Sequence, residues 1–155
     1  MENMFENCNS LISLNLTNFI TKNVTNMEYM FSGCNSLISL DLLSFNTQNL
    51  TNIGFIFSDC ISLTILNLSS FNIQNVIYME YMFENCNSLI SLDLSNFNTK
   101  NLVDMELMFS DCNSLISLDL SSFSTENVTE MEYLFVDCNS LMKKNILFNQ
   151  VICFI

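Results

Sequence analysis

Cationic residues are nearly absent from this sequence. It has no Arg and no His, and four Lys stand against 16 acidic residues, which gives a net charge of −12. A charge of this sign repels the phosphate backbone of nucleic acids and the headgroups of anionic membranes. The composition therefore predicts that nucleic acid is not a partner.

Residue types that carry out catalysis are also scarce. There is no His, and the two Gly cannot form a Gly-rich phosphate loop. The carboxylates recur by repetition along the chain, whereas an active site gathers its titratable groups in one cleft. The sequence therefore predicts a protein that is not an enzyme and that binds no cofactor.

Long apolar runs and export signals are missing as well. No run of 18 apolar residues occurs, so no transmembrane helix is predicted. Met1 is followed directly by repeat residues such as Phe5 and Cys8, without a basic or apolar leader. No signal peptide is expected, which leaves a cytoplasmic protein and a fragment of a longer protein as alternatives.

The dominant feature is a 26-residue repeat, which is visible in two columns of identical residues. One column is Cys8, Cys34, Cys60, Cys86, Cys112 and Cys138, and the other is Phe5, Phe31, Phe57, Phe83, Phe109 and Phe135. Five full copies occupy 1–26, 27–52, 53–78, 79–104 and 105–130, and a partial sixth starts at Met131. A repeat kept in register predicts a solenoid with one coil per copy. We expect a solenoid over 1–142 and a degenerate tail over 143–155.

The first half of a copy has the pattern of a strand. Residues 37–45 follow L-x-x-L-x-L-x-x-F, in which side chains alternate between two faces. Leu40 and Leu42 are predicted to point inward, and Ser39 and Asp41 outward. Stacked copies would pair these strands in a parallel sheet.

The second half of a copy has a different period. Val24, Met27, Met30, Phe31 and Cys34 recur at intervals of three to four residues, which predicts a short helix. Residue types that tolerate a left-handed backbone mark its expected end in every copy, at Asn7, Gly33, Asp59, Asn85, Asp111 and Asp137. The predicted fold is an α/β repeat, a solenoid with a parallel β-sheet on one face and short helices on the other.

The consensus M-x-x-M-F-x-x-C-x-S-L-x-S-L-D-L-S-x-F-x-T-x-N-V, as in residues 105–128, resembles the BspA-type leucine-rich repeats of surface proteins. The resemblance covers about 1–142. It implies a leucine-rich-repeat solenoid at the cell surface or in a secreted protein, with a role in adhesion or in binding protein or glycan partners. It implies no catalytic residues. An intracellular interaction scaffold or a truncated fragment of a larger repeat protein is the alternative.

Three columns could carry chemistry. The Cys column is predicted to be a reduced, packed ladder, because thiols spread along a line cannot converge on a metal ion and adjacent Cβ vectors are parallel. The Asn column is predicted to point inward and to bond turn carbonyls. Its members are Asn23, Asn49, Asn75, Asn101 and Asn127. An outward column of Tyr29, Tyr81 and Tyr133, with Phe55 and Leu107, is predicted to pack between the helices.

The candidate binding residues are the outward strand positions. They are Ser39, Asp41, Ser91, Asp93, Ser117 and Asp119. Hydroxyls and carboxylates in a row suit a cationic protein surface or a polyhydroxylated glycan, and a merely solvated polar face is the alternative. One carboxylate per coil supplies too few oxygens for calcium.

The sixth copy is predicted to fray. Lys143 and Lys144 fall where other copies have a Ser and an inward Leu, so the parallel ladder should stop there. The apolar tail 145–155 is predicted to fold over the exposed edge as a cap.

Overall fold

The computed structural model describes residues 1–142 and 145–148. The chain winds as a solenoid in which each copy is one coil. Four short strands are formed: β1 (Ser39–Asp41), β2 (Ile65–Asn67), β3 (Leu118–Leu120) and β4 (Ile146–Phe148). Strand β1 pairs with β2 and β3 pairs with β4, both in parallel. Residues 91–94 form no strand, so the predicted parallel sheet is present as two pairs and not as one continuous sheet.

A second parallel ladder runs through the first five coils at one corner. It consists of single bridges that link Asn26, Asn52, Tyr78, Asp104 and Glu130 in succession. The partners are 26 residues apart, so this corner holds the coils in register where the sheet is interrupted.

The predicted helices are wrong: no α-helix occurs in the described ranges 1–142 and 145–148. The three-to-four-residue period comes instead from overlapping turns, in which Met30 N donates to Met27 O and Cys34 N donates to Phe31 O, both at 3.1 Å. The N–H groups at alternate positions donate instead to carbonyls of the next coil, as from Phe31 N to Ile56 O at 3.0 Å. A helix would have kept those bonds within the segment.

The predicted left-handed positions are confirmed in all six copies, with φ between 56° at Asn85 and 72° at Gly33. A second left-handed position lies four residues earlier and was not foreseen. It is occupied by Asn3, Tyr29, Phe55, Tyr81, Leu107 and Tyr133. A bulky residue with positive φ is unusual. Here it is held because its N–H bonds the next coil, as from Tyr29 N to Gly54 O at 3.2 Å.

Hydrogen bonds between coils run in two opposite directions. In the turn segment the N–H groups donate to the following coil, as from Met27 N to Asn52 O at 3.0 Å. In the corner and strand segments they donate to the preceding coil, as from Thr51 N to Thr25 O at 2.8 Å. Each coil is thus bonded to its neighbour by two rows of opposite polarity.

The core is continuous and follows the repeat. The nine side chains of the fourth copy that the pattern makes apolar are all buried: Met79, Met82, Phe83, Cys86, Leu89, Leu92, Leu94, Phe97 and Leu102. Leu40 and Leu42 are buried while Ser39 and Asp41 are exposed, which confirms the predicted strand orientation. The Phe column stacks from Phe5 to Phe135 with centroids 5.5–5.9 Å apart.

The prediction that the ladder stops in the sixth copy is wrong. Strand β4 pairs with β3, and Ile146 lies opposite Leu118, 28 residues earlier in the chain. The last coil therefore contains two more residues than the others and regains the inward register after them. Lys143, Lys144 and 149–155 lie outside the described residues, and the predicted cap falls largely among them.

Candidate functional site

The candidate residues of the strand face are all solvent-exposed. The Asp side chains also accept hydrogen bonds from the backbone of the following turn, which the sequence did not indicate. Oδ1 of Asp93 accepts a hydrogen bond from Ser95 N at 3.0 Å, and Oδ1 of Asp119 accepts one from Ser121 N at 2.9 Å. Asn15 and Asn67 make the same bond in their copies, which explains why this column alternates between Asp and Asn.

These carboxylates are ionised at neutral pH. Hydrogen bonds from Ser95 and Ser121 lower the pKa of Asp93 and Asp119 respectively. One oxygen of each carboxylate is held by the turn, so the row presents a fixed negative charge to solvent. The geometry is compatible with capture of a cationic partner.

An exposed apolar column lies next to this row and was missed at the sequence level. Its members are Ile12, Ile38, Ile90 and Ile116, which are 50–61% exposed, with Thr64 in the third copy. Each Ile directly precedes the outward Ser of its copy, where Ile65 in the third copy adds a further side chain that is 65% exposed. An alternating strand would have placed these Ile inward. The sequence therefore gave no direct indication that these Ile side chains are exposed.

The predicted packing of the Cys column is confirmed for its four central members, whereas Cys8 is exposed and Cys138 is half-buried. Cys34, Cys60, Cys86 and Cys112 are buried, and each thiol donates to a Phe carbonyl of the preceding coil, as from Cys86 Sγ to Phe57 O at 3.3 Å. Burial raises the pKa of Cys34 and Cys138 to about 11, so these thiols stay protonated. Within the described residues, no three His, Cys, Asp or Glu side chains converge as metal ligands.

The Asn column does not point inward. Its five members are exposed, and the amide nitrogens of the last four, Asn49, Asn75, Asn101 and Asn127, donate to carbonyls of the preceding coil. Asn75 Nδ2 donates to Gln48 O at 2.9 Å and Asn101 Nδ2 donates to Gln74 O at 2.7 Å. The carbonyl-bonding part of the prediction is confirmed, but the bonds lie on the surface.

A shallow groove of about 650 Å³ runs beside this column across four coils. It is lined by Asn23, Thr25, Asn49, Thr51, Asn75, Ile77, Asn101 and Val103. None of the lining side chains is charged.

The Tyr column stacks on itself. The rings of Tyr29, Phe55 and Tyr81 are parallel to within 18° with centroids 4.4 Å apart. The three side chains are half-buried, whereas Tyr133 is 63% exposed. The predicted packing is confirmed for Tyr29, Phe55 and Tyr81, although they lie on turns and not between helices, and it is not seen for Tyr133.

Glu80 is a half-buried acid that the repeat pattern did not single out. Its column has Gly54 in the preceding copy, and Oε1 of Glu80 lies 2.6 Å from where a Cβ of that Gly would be. The carboxylate thus fills the space of the absent side chain, and its Oε2 is buried without a hydrogen-bond partner among the described residues. Burial, with the charges of Asp104, Glu28 and Glu106, raises the pKa of Glu80 to about 7.

The raised pKa predicts that the protein loses stability as the pH rises. The folded state retains the Glu80 proton up to about pH 7, whereas the unfolded chain releases it near pH 4.3, so the free energy of unfolding falls between these values. At pH 8 we expect E80Q to raise the free energy of unfolding by about 1 kcal/mol, after allowance for solvent screening of a half-exposed group.

Urea titrations at pH 5 and pH 8 test this expectation, with the exposed Glu126→Gln as the matched control. Glu84 also has a raised pKa through burial, so a smaller decline should persist in E80Q. Equal pH dependence in E80Q and the wild type would show that Glu80 ionises freely.

Residues 1–115 and 67–151 match the family described as "Mycoplasma protein of unknown function, DUF285". A leucine-rich repeat protein of T. pallidum is similar in fold, with a TM-score of 0.53 and 24% identity over 83% of this chain and 55% of that one. A leucine-rich repeat protein of Bacteroides ovatus is also similar in fold, with a TM-score of 0.53 and 20% identity over 96% of this chain and 40% of that one.

This chain therefore spans about half the length of those solved structures. No curated protein matches it. The predicted leucine-rich-repeat solenoid of BspA type is confirmed by the family match and the shared fold. Within the described part of the chain, no helix is long and apolar enough to cross a bilayer.

Proposed function

Because the chain belongs to the DUF285 family and has the fold of leucine-rich repeat proteins, we propose that it is a non-catalytic protein-interaction module that binds through its strand face. The proposal extends to adhesion at the cell surface or in secreted form, which the resemblance to BspA-type surface proteins supports. An intracellular scaffold is the alternative, and antibody labelling of intact cells distinguishes the two.

The exposed Ile column is the observation that supports a protein partner most directly. Ile38, Ile90 and Ile116 are at least half exposed and lie beside a row of ionised carboxylates. Contiguous apolar surface bordered by charge is typical of protein-binding sites. A protein segment with apolar side chains for the Ile column and basic side chains for the Asp row would complement this face.

The test uses a synthetic extended peptide in which apolar residues alternate with Lys. We expect I90S/I116S to weaken binding at least tenfold, about 1.4 kcal/mol, because the apolar contacts are lost. I20S is the matched control, since Ile20 is 89% exposed and lies outside this face.

The charge contribution is tested separately with D93N/D119N. Asn keeps the turn hydrogen bond, as Asn15 and Asn67 already do, so only the charge is removed. We expect slower association and a weaker dependence on salt. If I90S/I116S and D93N/D119N both bound the peptide as well as the wild type does, the interaction would lie elsewhere and the proposal would be contradicted.

A further inference from the structure

From the groove beside the Asn column we infer a second binding site, one that accommodates a neutral, linear glycan with one sugar ring per coil. This site is independent of the strand face. It lies on the Asn, Thr and aliphatic columns of the corner, which the proposed protein interaction does not use.

The hydrogen-bonding groups of the groove are oriented for a ligand rich in hydroxyl donors. The amide nitrogens of Asn49, Asn75 and Asn101 are occupied by carbonyls of the preceding coil, which fixes the orientation of each amide. The opposite atom of each amide, Oδ1, accepts no bond from the described part of the chain, and the three Asn residues are solvent-exposed. The result is a row of fixed acceptors that repeats once per coil.

The remaining lining supplies a surface for the apolar face of a sugar. Ile77 and Val103 are half-buried and continue the column that begins with Thr25 and Thr51. The backbone of this column is a rigid ladder, with Ile77 N donating to Thr51 O at 2.8 Å and Val103 N donating to Ile77 O at 2.9 Å. A pyranose ring presents both a hydroxyl edge and an apolar face, and the groove offers a partner for each.

The spacing of the groove favours a glycan over a peptide. Coils paired in a parallel ladder repeat about every 4.8 Å, which is close to the length of one sugar ring in an extended chain. An extended peptide advances about 3.3 Å per residue and a polyproline helix about 3.1 Å. A peptide laid along the groove would therefore match the acceptors only at about every second coil, whereas a glycan with one sugar ring per coil would match them at each coil.

The charge of the groove separates it from the strand face. Its lining residues are all neutral, although the chain as a whole carries −12. A neutral ligand is not repelled by the lining, and its affinity should be nearly independent of salt. Binding at the strand face should weaken with salt.

Two Thr residues provide a matched pair of variants. Thr51 lies in the groove and donates its hydroxyl to Thr25 O at 3.1 Å, while Thr64 lies on the strand face and donates to Ile38 O at 3.1 Å. T51R places a long side chain across the groove, and T64R does the same on the other face. Both variants lose the same kind of bond, so their stabilities should be similar.

The probes are cellohexaose and chitohexaose, which are neutral linear glycans, and the readout is NMR titration of the full chain. We expect saturable shifts confined to the backbone and side-chain amides of residues 49–51, 75–77 and 101–103, unchanged between low and high salt. T51R should weaken this binding at least tenfold, and T64R should leave it unchanged.

Three outcomes would overturn the inference: no saturable shift with either glycan, equal binding by T51R and the wild type, or loss of binding in T64R alone. The variant I90S/I116S should bind the glycans normally. Failure of the strand-face proposal would therefore be visible separately from failure of this one.

Discussion

Replacing Phe83 by Ala is expected to lower the free energy of unfolding by about 3–5 kcal/mol. Phe83 is fully buried and stacks between Phe57 and Phe109, with centroids 5.8 and 5.5 Å away. Its loss leaves a cavity between two coil interfaces. The rings on either side are held in a stack and cannot both move into the space, so little of the cost is recovered.

Urea unfolding measures the effect, with Tyr133→Ala as control because that aromatic side chain is 63% exposed. The control should cost less than about 1 kcal/mol. If Phe83→Ala were no more destabilising than the control, the continuous Phe column would not be the main source of stability.

The second large effect is expected at Thr47. Its side chain is buried, its hydroxyl donates to Asn72 O at 3.1 Å, and it accepts a bond from Asn72 N at 2.7 Å. Thr47→Val keeps the volume but leaves both backbone groups without this partner, so we expect a loss of about 2–3 kcal/mol.

Thr47→Ser is the matched variant, because it keeps the hydroxyl and removes only a methyl group. We expect it to cost about 1 kcal/mol. The order of the two variants in thermal or urea unfolding decides between the explanations. A Ser variant less stable than the Val variant would mean that packing, and not the hydroxyl, matters at this position.

The features that follow from one coil alone could be predicted from the sequence. Inward Leu40 and Leu42 follow from strand alternation, and the left-handed φ at Gly33 follows from its residue type. The turns at 27–34 could not be predicted. Their apolar period is the same as that of a helix, and their bonds go to another coil, which local periodicity does not record. The positive φ of Tyr29 could not be predicted either, because Tyr seldom adopts such a conformation.

The candidate site could likewise be predicted only in part, because only some of its features are determined within one coil. The outward Ser and Asp positions depend only on alternation, and they are exposed as expected. Ile90 is exposed although strand alternation would place it inward, and the orientation of Asn75 depends on a carbonyl of the preceding coil. Neither is encoded within 26 residues.

The two opposed rows of hydrogen bonds between coils have an electrostatic consequence. In an α-helix the peptide dipoles all point one way and add to about half an elementary charge at each end. Here the bonds of the turn segment point toward the following coil, as from Met27 N to Asn52 O, and those of the corner point toward the preceding one, as from Thr51 N to Thr25 O. Their dipoles oppose each other within every coil. A copy can therefore be added or removed without building up a backbone dipole along the axis.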